Sequence, residues 1–108
     1  MYKKGTVVLV PFPFTDLSGA KVRPAVIVSN KKIGNDVVVV FVTSQDKSRG
    51  AHVVSVSPSE QNGLKTKSNI NTAKIATLET GIVLGELGKL SRENIEKVDT
   101  GLRSVLGL

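Results

Sequence analysis

The sequence predicts a mainly β domain: a small, strongly bent antiparallel sheet of five to seven strands that closes toward a barrel, followed by one C-terminal helix. Three observations predict this fold class. Short β-branched runs recur between turn residues, helical periodicity is confined to the end of the chain, and strands nowhere alternate with helices. With 108 residues, 40% of them hydrophobic, we expect a single domain, residues 1–108, with one core.

The first two predicted strands flank the most distinctive stretch of the sequence. Residues 6–10 are a β-branched run that must stop, or lie at a sheet edge, near Pro11, because proline lacks a backbone donor. Turn-forming residues then predict an ordered loop over residues 14–20. Residues 22–29 form the second strand, and Pro24 holds Arg23 in an extended conformation. The guanidinium therefore lies at a strand entrance of defined geometry.

The middle of the chain predicts four more strands. Residues 34–36 are a turn, and residues 37–43 are nearly all valine, which suits a strand buried on both faces. A polar, basic loop follows Thr43. The remaining strands are predicted at residues 52–56, 69–76 and 82–87, with a turn at residues 77–81 and a bulge at Gly85.

The C-terminal helix has clear boundaries. Ser91 is a suitable N-cap, apolar residues recur at helical spacing over residues 92–106, and Gly107 ends the pattern. Gly101 inside the helix costs about 1 kcal/mol relative to alanine. It therefore predicts dependence on tertiary packing, or close approach of a neighbour.

Composition excludes several kinds of site. The absence of cysteine excludes disulfides, thiolate catalysis and cysteine-bound metals. With one histidine and no ligand spacing among the carboxylates, we expect neither a metal nor a cofactor. The longest apolar run, residues 37–42, is far shorter than the ~20 residues that span a membrane. The N-terminus has no signal-peptide pattern, so we expect a cytoplasmic protein without a membrane segment.

The net charge of +6 favours a phosphate-bearing or acidic partner, although many basic domains bind no nucleic acid. Arg23 and Thr43 could together bind and stabilise a phosphodiester at two strand ends. RNA can be cleaved without a metal by such a pair, because its own 2′-hydroxyl supplies the nucleophile. Arginine offers a permanent charge and a planar fork that matches two phosphate oxygens. The alternative is that Arg23 is a solvated surface charge and Thr43 an ordinary strand end.

The most specific motifs of the chain are residues 10–16, Val-Pro-Phe-Pro-Phe-Thr-Asp, and the Arg23-Pro24 pair, and the valine-rich strand and the closing helix accompany them. Together these blocks, over nearly the whole chain, resemble the MazF/PemK family of toxin endoribonucleases. The resemblance implies an SH3-like barrel that forms homodimers and cuts single-stranded RNA at short sequences without metal. It also implies a cognate antitoxin protein that blocks the site.

The resemblance also implies roles for particular residues. Arg23 and Thr43 fall on the family's catalytic pair, and the expected RNA-binding residues are Lys21, Ser44, Gln45 and Lys74.

One position departs from the family pattern. Several family members carry a second catalytic arginine where this chain has Ala76, and Glu79 falls where some have an acidic catalytic residue. This departure leaves the general acid and base unassigned. It also keeps open a non-catalytic nucleic-acid- or partner-binding module of the same fold.

Overall fold

The computed structural model describes residues 2–11, 21–30, 33–44 and 49–108, and it places them in one antiparallel sheet with a C-terminal helix. The elements are β1 (Thr6–Pro11), β2 (Val22–Ile27), β3 (Asp36–Thr43), β4 (Val53–Val56), β5 (Ser68–Glu79), a 3₁₀ turn (Thr80–Ile82), β6 (Gly85–Lys89) and α1 (Arg92–Leu106). The six strands lie in the order β4-β5-β3-β2-β1-β6. The predicted mainly β fold class is confirmed, whereas the loop predicted at residues 14–20 lies outside the described residues.

The turn predicted at residues 34–36 joins β2 to β3 as a hairpin. The N–H of Asp36 donates to the carbonyl of Ile33 at 2.9 Å, and Gly34 has a φ of +57°, a conformation that glycine adopts without steric cost. β2 ends at Ile27, two residues before its predicted end, although the N–H of Val28 still donates to the carbonyl of Val38 at 2.8 Å.

The curvature of the sheet is associated with two irregular ladders, which help to curl it into a half-barrel. The β3–β5 ladder shifts register between Val40, opposite Ile75, and Phe41, opposite Asn71. The β1–β6 ladder shifts at Leu87. The bulge predicted at Gly85 was therefore placed two residues too early.

β5 is longer than predicted, and the turn predicted at residues 77–81 is wrong in part. The strand continues to Glu79, and the turn is confined to the segment Thr80–Ile82. The reason is tertiary, because residues 75–79 pair with residues 36–40 of β3. This partner strand outweighs the weak β preference of the local sequence.

The sheet has a hydrophobic cluster on each face, and β3 contributes to both. Val40 and Val42 pack on the side that α1 covers, together with Val98 of the helix. Val39 and Phe41 pack on the opposite side with residues of β1 and β2. The prediction of a strand buried on both faces is confirmed.

The helix forms as its sequence predicts. The Oγ of Ser91 accepts a hydrogen bond from the N–H of Asn94 at 3.2 Å, and Gly107 ends the helix with a φ of +71°. A Cβ on Gly101 would lie 2.8 Å from the Oγ1 of Thr72 in β5, so this glycine lets the helix approach its own sheet. Within the described residues, no helix has the length and apolar character needed to cross a membrane.

Candidate active site

A cleft opens where β2 and β3 separate at one end of the sheet. Residues 25–27 of β2 pair with residues 39–41 of β3, while residues 22–24 pair with β1. Proline has no N–H to donate, so Pro24 favours the end of the β2–β3 ladder at this point. Beyond Pro24, β3 continues to pair with β5 on its other side, since Thr43 pairs with Asn69 of β5.

Arg23 and Thr43 lie across this gap from each other. Ala25 pairs with Phe41, and continuing that register by two residues would place Arg23 opposite Thr43. Arg23 and Thr43 are both partly buried. A cation and a hydroxyl that are 20 positions apart in sequence are thereby brought to one cleft.

The cleft has a volume of about 300 Å³, at the small end of ligand pockets. Its apolar lining residues are Leu9, Pro24, Val42, Leu64 and Leu87. Its polar lining residues are Arg23, Thr43, Ser44, Lys65, Thr66 and Ser68. Among these described lining residues two are cationic and none is acidic, so the cleft suits an anionic group attached to an apolar or aromatic one.

The other predicted site residues are not all brought to this cleft. Ser44 is exposed and lines it. Lys21 is exposed just before β2, and Lys74 lies in the irregular part of β5, but neither is among the described lining residues. Gln45 lies outside the described residues.

Comparison with protein families decides what kind of protein carries this cleft. Residues 3–106 match the family described as the PemK-like, MazF-like toxin of type II toxin-antitoxin systems. The chain belongs to this toxin family. The resemblance seen in the sequence is confirmed. A comparison with curated proteins finds no match.

Solved structures of other proteins share the fold over nearly the whole chain. A mycobacterial endoribonuclease, in complex with its cognate antitoxin, is 27% identical with a TM-score of 0.80, and the match covers 100% of this chain and 97% of that one. Another mycobacterial endoribonuclease structure is 27% identical with a TM-score of 0.76, covering 99% and 92%. MazF from Deinococcus radiodurans, 20% identical with a TM-score of 0.77 and coverage of 99% and 97%, shows the shared fold alone.

The position that departs from the family pattern, Ala76, and the acidic residue Glu79 both lie away from the toxin's cleft. Glu79 pairs with Asp36, the first residue of β3, whereas Thr43 is the last residue of that strand. Asp36 and Thr43 are the first and last of the 8 residues of β3, which places them roughly 23 Å apart along the strand. Ala76 pairs with Val39 and packs against the core cluster that contains Phe41. Within one subunit, neither position adjoins the pair formed by Arg23 and Thr43.

Sequence reasoning missed the wall of the toxin's cleft formed by residues 63–68. Lys65, Thr66 and Ser68 line the cleft, although they follow Thr43 by more than 20 residues. The available signal was the polar, basic run that begins after Gly63. Nothing local in that run indicates which strand ends it meets. In the described part of the chain, no group of three or more histidine and carboxylate side chains could hold a metal ion.

Proposed function

We propose that this toxin is a metal-independent, sequence-specific endoribonuclease that cleaves single-stranded RNA in the cleft between β2 and β3. The observation that carries the proposal is the placement of Arg23 and Thr43 on the two separated strand ends that border this cleft. Family membership and the net charge of +6 support an RNA substrate. So does the description of the 27% identical mycobacterial structures as endoribonucleases.

The proposed reaction uses the RNA as its own nucleophile. The 2′-hydroxyl oxygen forms a bond to the adjacent phosphorus, the bond from phosphorus to the 5′-oxygen breaks, and the products carry a 2′,3′-cyclic phosphate and a 5′-hydroxyl. Negative charge builds on the phosphate oxygens in the transition state. The guanidinium of Arg23 can bind two of these oxygens, and the hydroxyl of Thr43 can donate to one. Since no histidine or carboxylate is among the described lining residues, we assign both groups to charge stabilisation rather than proton transfer.

Four further residues are proposed to contact the RNA. Ser44 borders the cleft directly, and Lys21 is exposed two positions before Arg23. Lys74 lies farther along β5, so we propose that it contacts RNA that extends beyond the cleft. The assignment of Gln45 remains a prediction from the sequence.

Replacement of Arg23 tests the catalytic assignment. Losing one preorganised donor to developing charge costs a factor of ~100 to 1000 in rate, so Arg23→Ala should fold but lose cleavage to that extent. Arg92→Ala is the matched control, because Arg92 is exposed on α1 and the variant loses the same charge. Cleavage of a long RNA in excess chelator gives the rates, and thermal unfolding checks the fold. A folded Arg23→Ala variant that cuts at the parental rate would refute the assignment.

A non-catalytic RNA-binding module is the second candidate, and Ala76 is the observation that favours it. Where several family members have a second catalytic arginine, this chain has a small apolar residue packed against the core. Such a module would retain RNA in a salt-dependent way but leave it intact. Fragments with 2′,3′-cyclic phosphate ends, formed in excess chelator, would exclude this candidate. A requirement for added metal would contradict the favoured mechanism.

We also propose that the chain binds a cognate antitoxin and forms a homodimer. A 27% identical mycobacterial endoribonuclease is in complex with its cognate antitoxin. Exposed apolar side chains of the kind found in subunit contacts include Val22 at 47%, Leu84 at 60% and Leu106 at 54% relative exposure. Gly101 provides no support for a dimer, because it is buried against Thr72 of its own sheet.

A further inference from the structure

The wall of the cleft formed by residues 63–68 is held in place by contacts with β6. The N–H of Lys89 donates to the carbonyl of Gln61 at 2.7 Å. Gly63 and Gly88 let the two segments approach closely, since a Cβ on Gly63 would overlap the carbonyl of Leu87, and a Cβ on Gly88 would overlap the carbonyl of Gln61. The wall is therefore attached to the sheet through backbone contacts just before it reaches the cleft.

Asn62 fixes the conformation of the same segment. Its side chain belongs to a residue only 4% exposed, and its Oδ1 accepts from the N–H of Ser59 at 3.0 Å and of Leu64 at 2.9 Å. Its Nδ2 donates to the carbonyl of Ser57 at 2.9 Å, and its own N–H donates to the Oγ of Ser59 at 3.0 Å. Because these four bonds fix the loop conformation before any ligand binds, the backbone position of the adjacent Lys65 is defined in advance.

Lys65 and Lys67 differ in their relation to the cleft. Both are exposed, both carry the same charge, and they are two positions apart. Lys65 lines the cleft, whereas Lys67 is not among its described lining residues. Arg23 and Lys65 are the two cationic residues of the described lining, and Lys65 belongs to the wall formed by residues 63–68. An ammonium group there suits a phosphate as a mobile point charge, without the bidentate geometry of arginine.

We propose that Lys65 binds a phosphate of the RNA backbone next to the phosphate that Arg23 and Thr43 hold. The apolar side chains that line the same cleft, among them Leu64 and Leu87, then accommodate the intervening nucleotide. The proposal rests on the proposed function, because it places Lys65 on the same RNA strand. It makes Lys65 an RNA-binding residue.

Binding of an uncleavable RNA to Lys65→Ala and Lys67→Ala tests this proposal. The probe is a single-stranded RNA of mixed sequence with every ribose 2′-O-methylated, which removes the nucleophile, and anisotropy gives Kd over a series of salt concentrations. Lys65→Ala should weaken binding about fivefold. It should also lower the slope of log affinity against log salt by about 0.7, the effect of one lost phosphate contact. Lys67→Ala should change Kd less than about twofold at physiological salt, where charges outside the contact are screened. Lys65→Arg should bind as the parental chain does.

The outcomes separate this proposal from the proposed function. The role of Lys65 is overturned if Lys65→Ala and Lys67→Ala have equal effects on Kd and on the salt slope. The endoribonuclease assignment is then still supported if the parental chain cleaves RNA and Arg23→Ala does not. If the parental chain neither binds the probe nor cleaves unmodified RNA, the proposed function fails and the role of Lys65 fails with it.

Discussion

Adding a methyl group at Gly88 should destabilise the protein, whereas the same change at Gly85 should not. Both glycines lie in β6, and neither has a positive φ. A Cβ on Gly88 would lie 2.6 Å from the carbonyl carbon of Asn62 and would also overlap the carbonyl of Gln61. These are backbone atoms and cannot rotate away. A Cβ on Gly85 meets nothing within 4 Å.

The magnitude follows from three opposing contributions. Overpacking costs about 1–3 kcal/mol. Displacing the loop weakens the hydrogen bond from Lys89 to Gln61, a cost of about 0.5–1.5 kcal/mol. Alanine lowers the conformational entropy of the unfolded chain and thereby stabilises the protein by about 0.4–1 kcal/mol. For Gly88→Ala the costs exceed the gain, and the free energy of unfolding should fall by roughly 0.5–4 kcal/mol. For Gly85→Ala only the gain remains, so stability should be unchanged or rise by up to about 1 kcal/mol.

Thermal and urea unfolding of the two variants measures this difference. A loss of 2 kcal/mol corresponds to a fall in Tm of roughly 10 °C for a domain of this size. Because small domains are stable by about 5–15 kcal/mol, Gly88→Ala should still fold at room temperature. If the two variants unfold at the same temperature, then the loop that forms the cleft wall does not contact β6 as closely as described, and the argument for a preset wall is refuted.

Two further predictions concern the loop and the assembly. Asn62→Ala should lower the free energy of unfolding by roughly 2–4 kcal/mol, because the buried N–H of Leu64 and the partly buried N–H of Ser59 and carbonyl of Ser57 lose their partner. Ser55→Ala, which removes one exposed hydrogen bond to Asn69, is the control and should cost less than about 1 kcal/mol in the same urea titration. Light scattering at micromolar concentration should give the mass of a homodimer, and a monomer mass would contradict the proposed assembly.

Local signals predicted the fold class and most element boundaries. Pro11 ends β1, the turn at residues 34–36 makes the β2–β3 hairpin, and Ser91 and Gly107 limit the helix, because each acts through its own backbone geometry or through bonds to near neighbours. The larger errors lie in β5 and β6. There the strand end and the bulge depend on which residues of β3 and β1 lie opposite, and the sequence of one strand contains no record of its partner's register.

The candidate site could be predicted only in part, because local signals identify some of its residues and tertiary contacts bring in the others. Arg23 and Thr43 follow from a proline-defined strand entrance and the end of a buried strand, together with a family resemblance. The Asn62 loop and Lys65 could not be identified, because their contribution depends on contacts with β6 rather than on residue spacing.

The sequence by itself determined the chemistry that this toxin can use: a basic chain without cysteine, an arginine held extended before a proline, and a valine-rich strand that ends in threonine. These properties belong to single residues and their immediate neighbours. Only the tertiary structure decided that the arginine and the threonine lie across one gap, that Glu79 lies at the far end of β3, and that Lys65 joins the cleft. Strand register, bulges and close backbone contacts join residues that are distant in sequence, so they are properties of the folded chain as a whole.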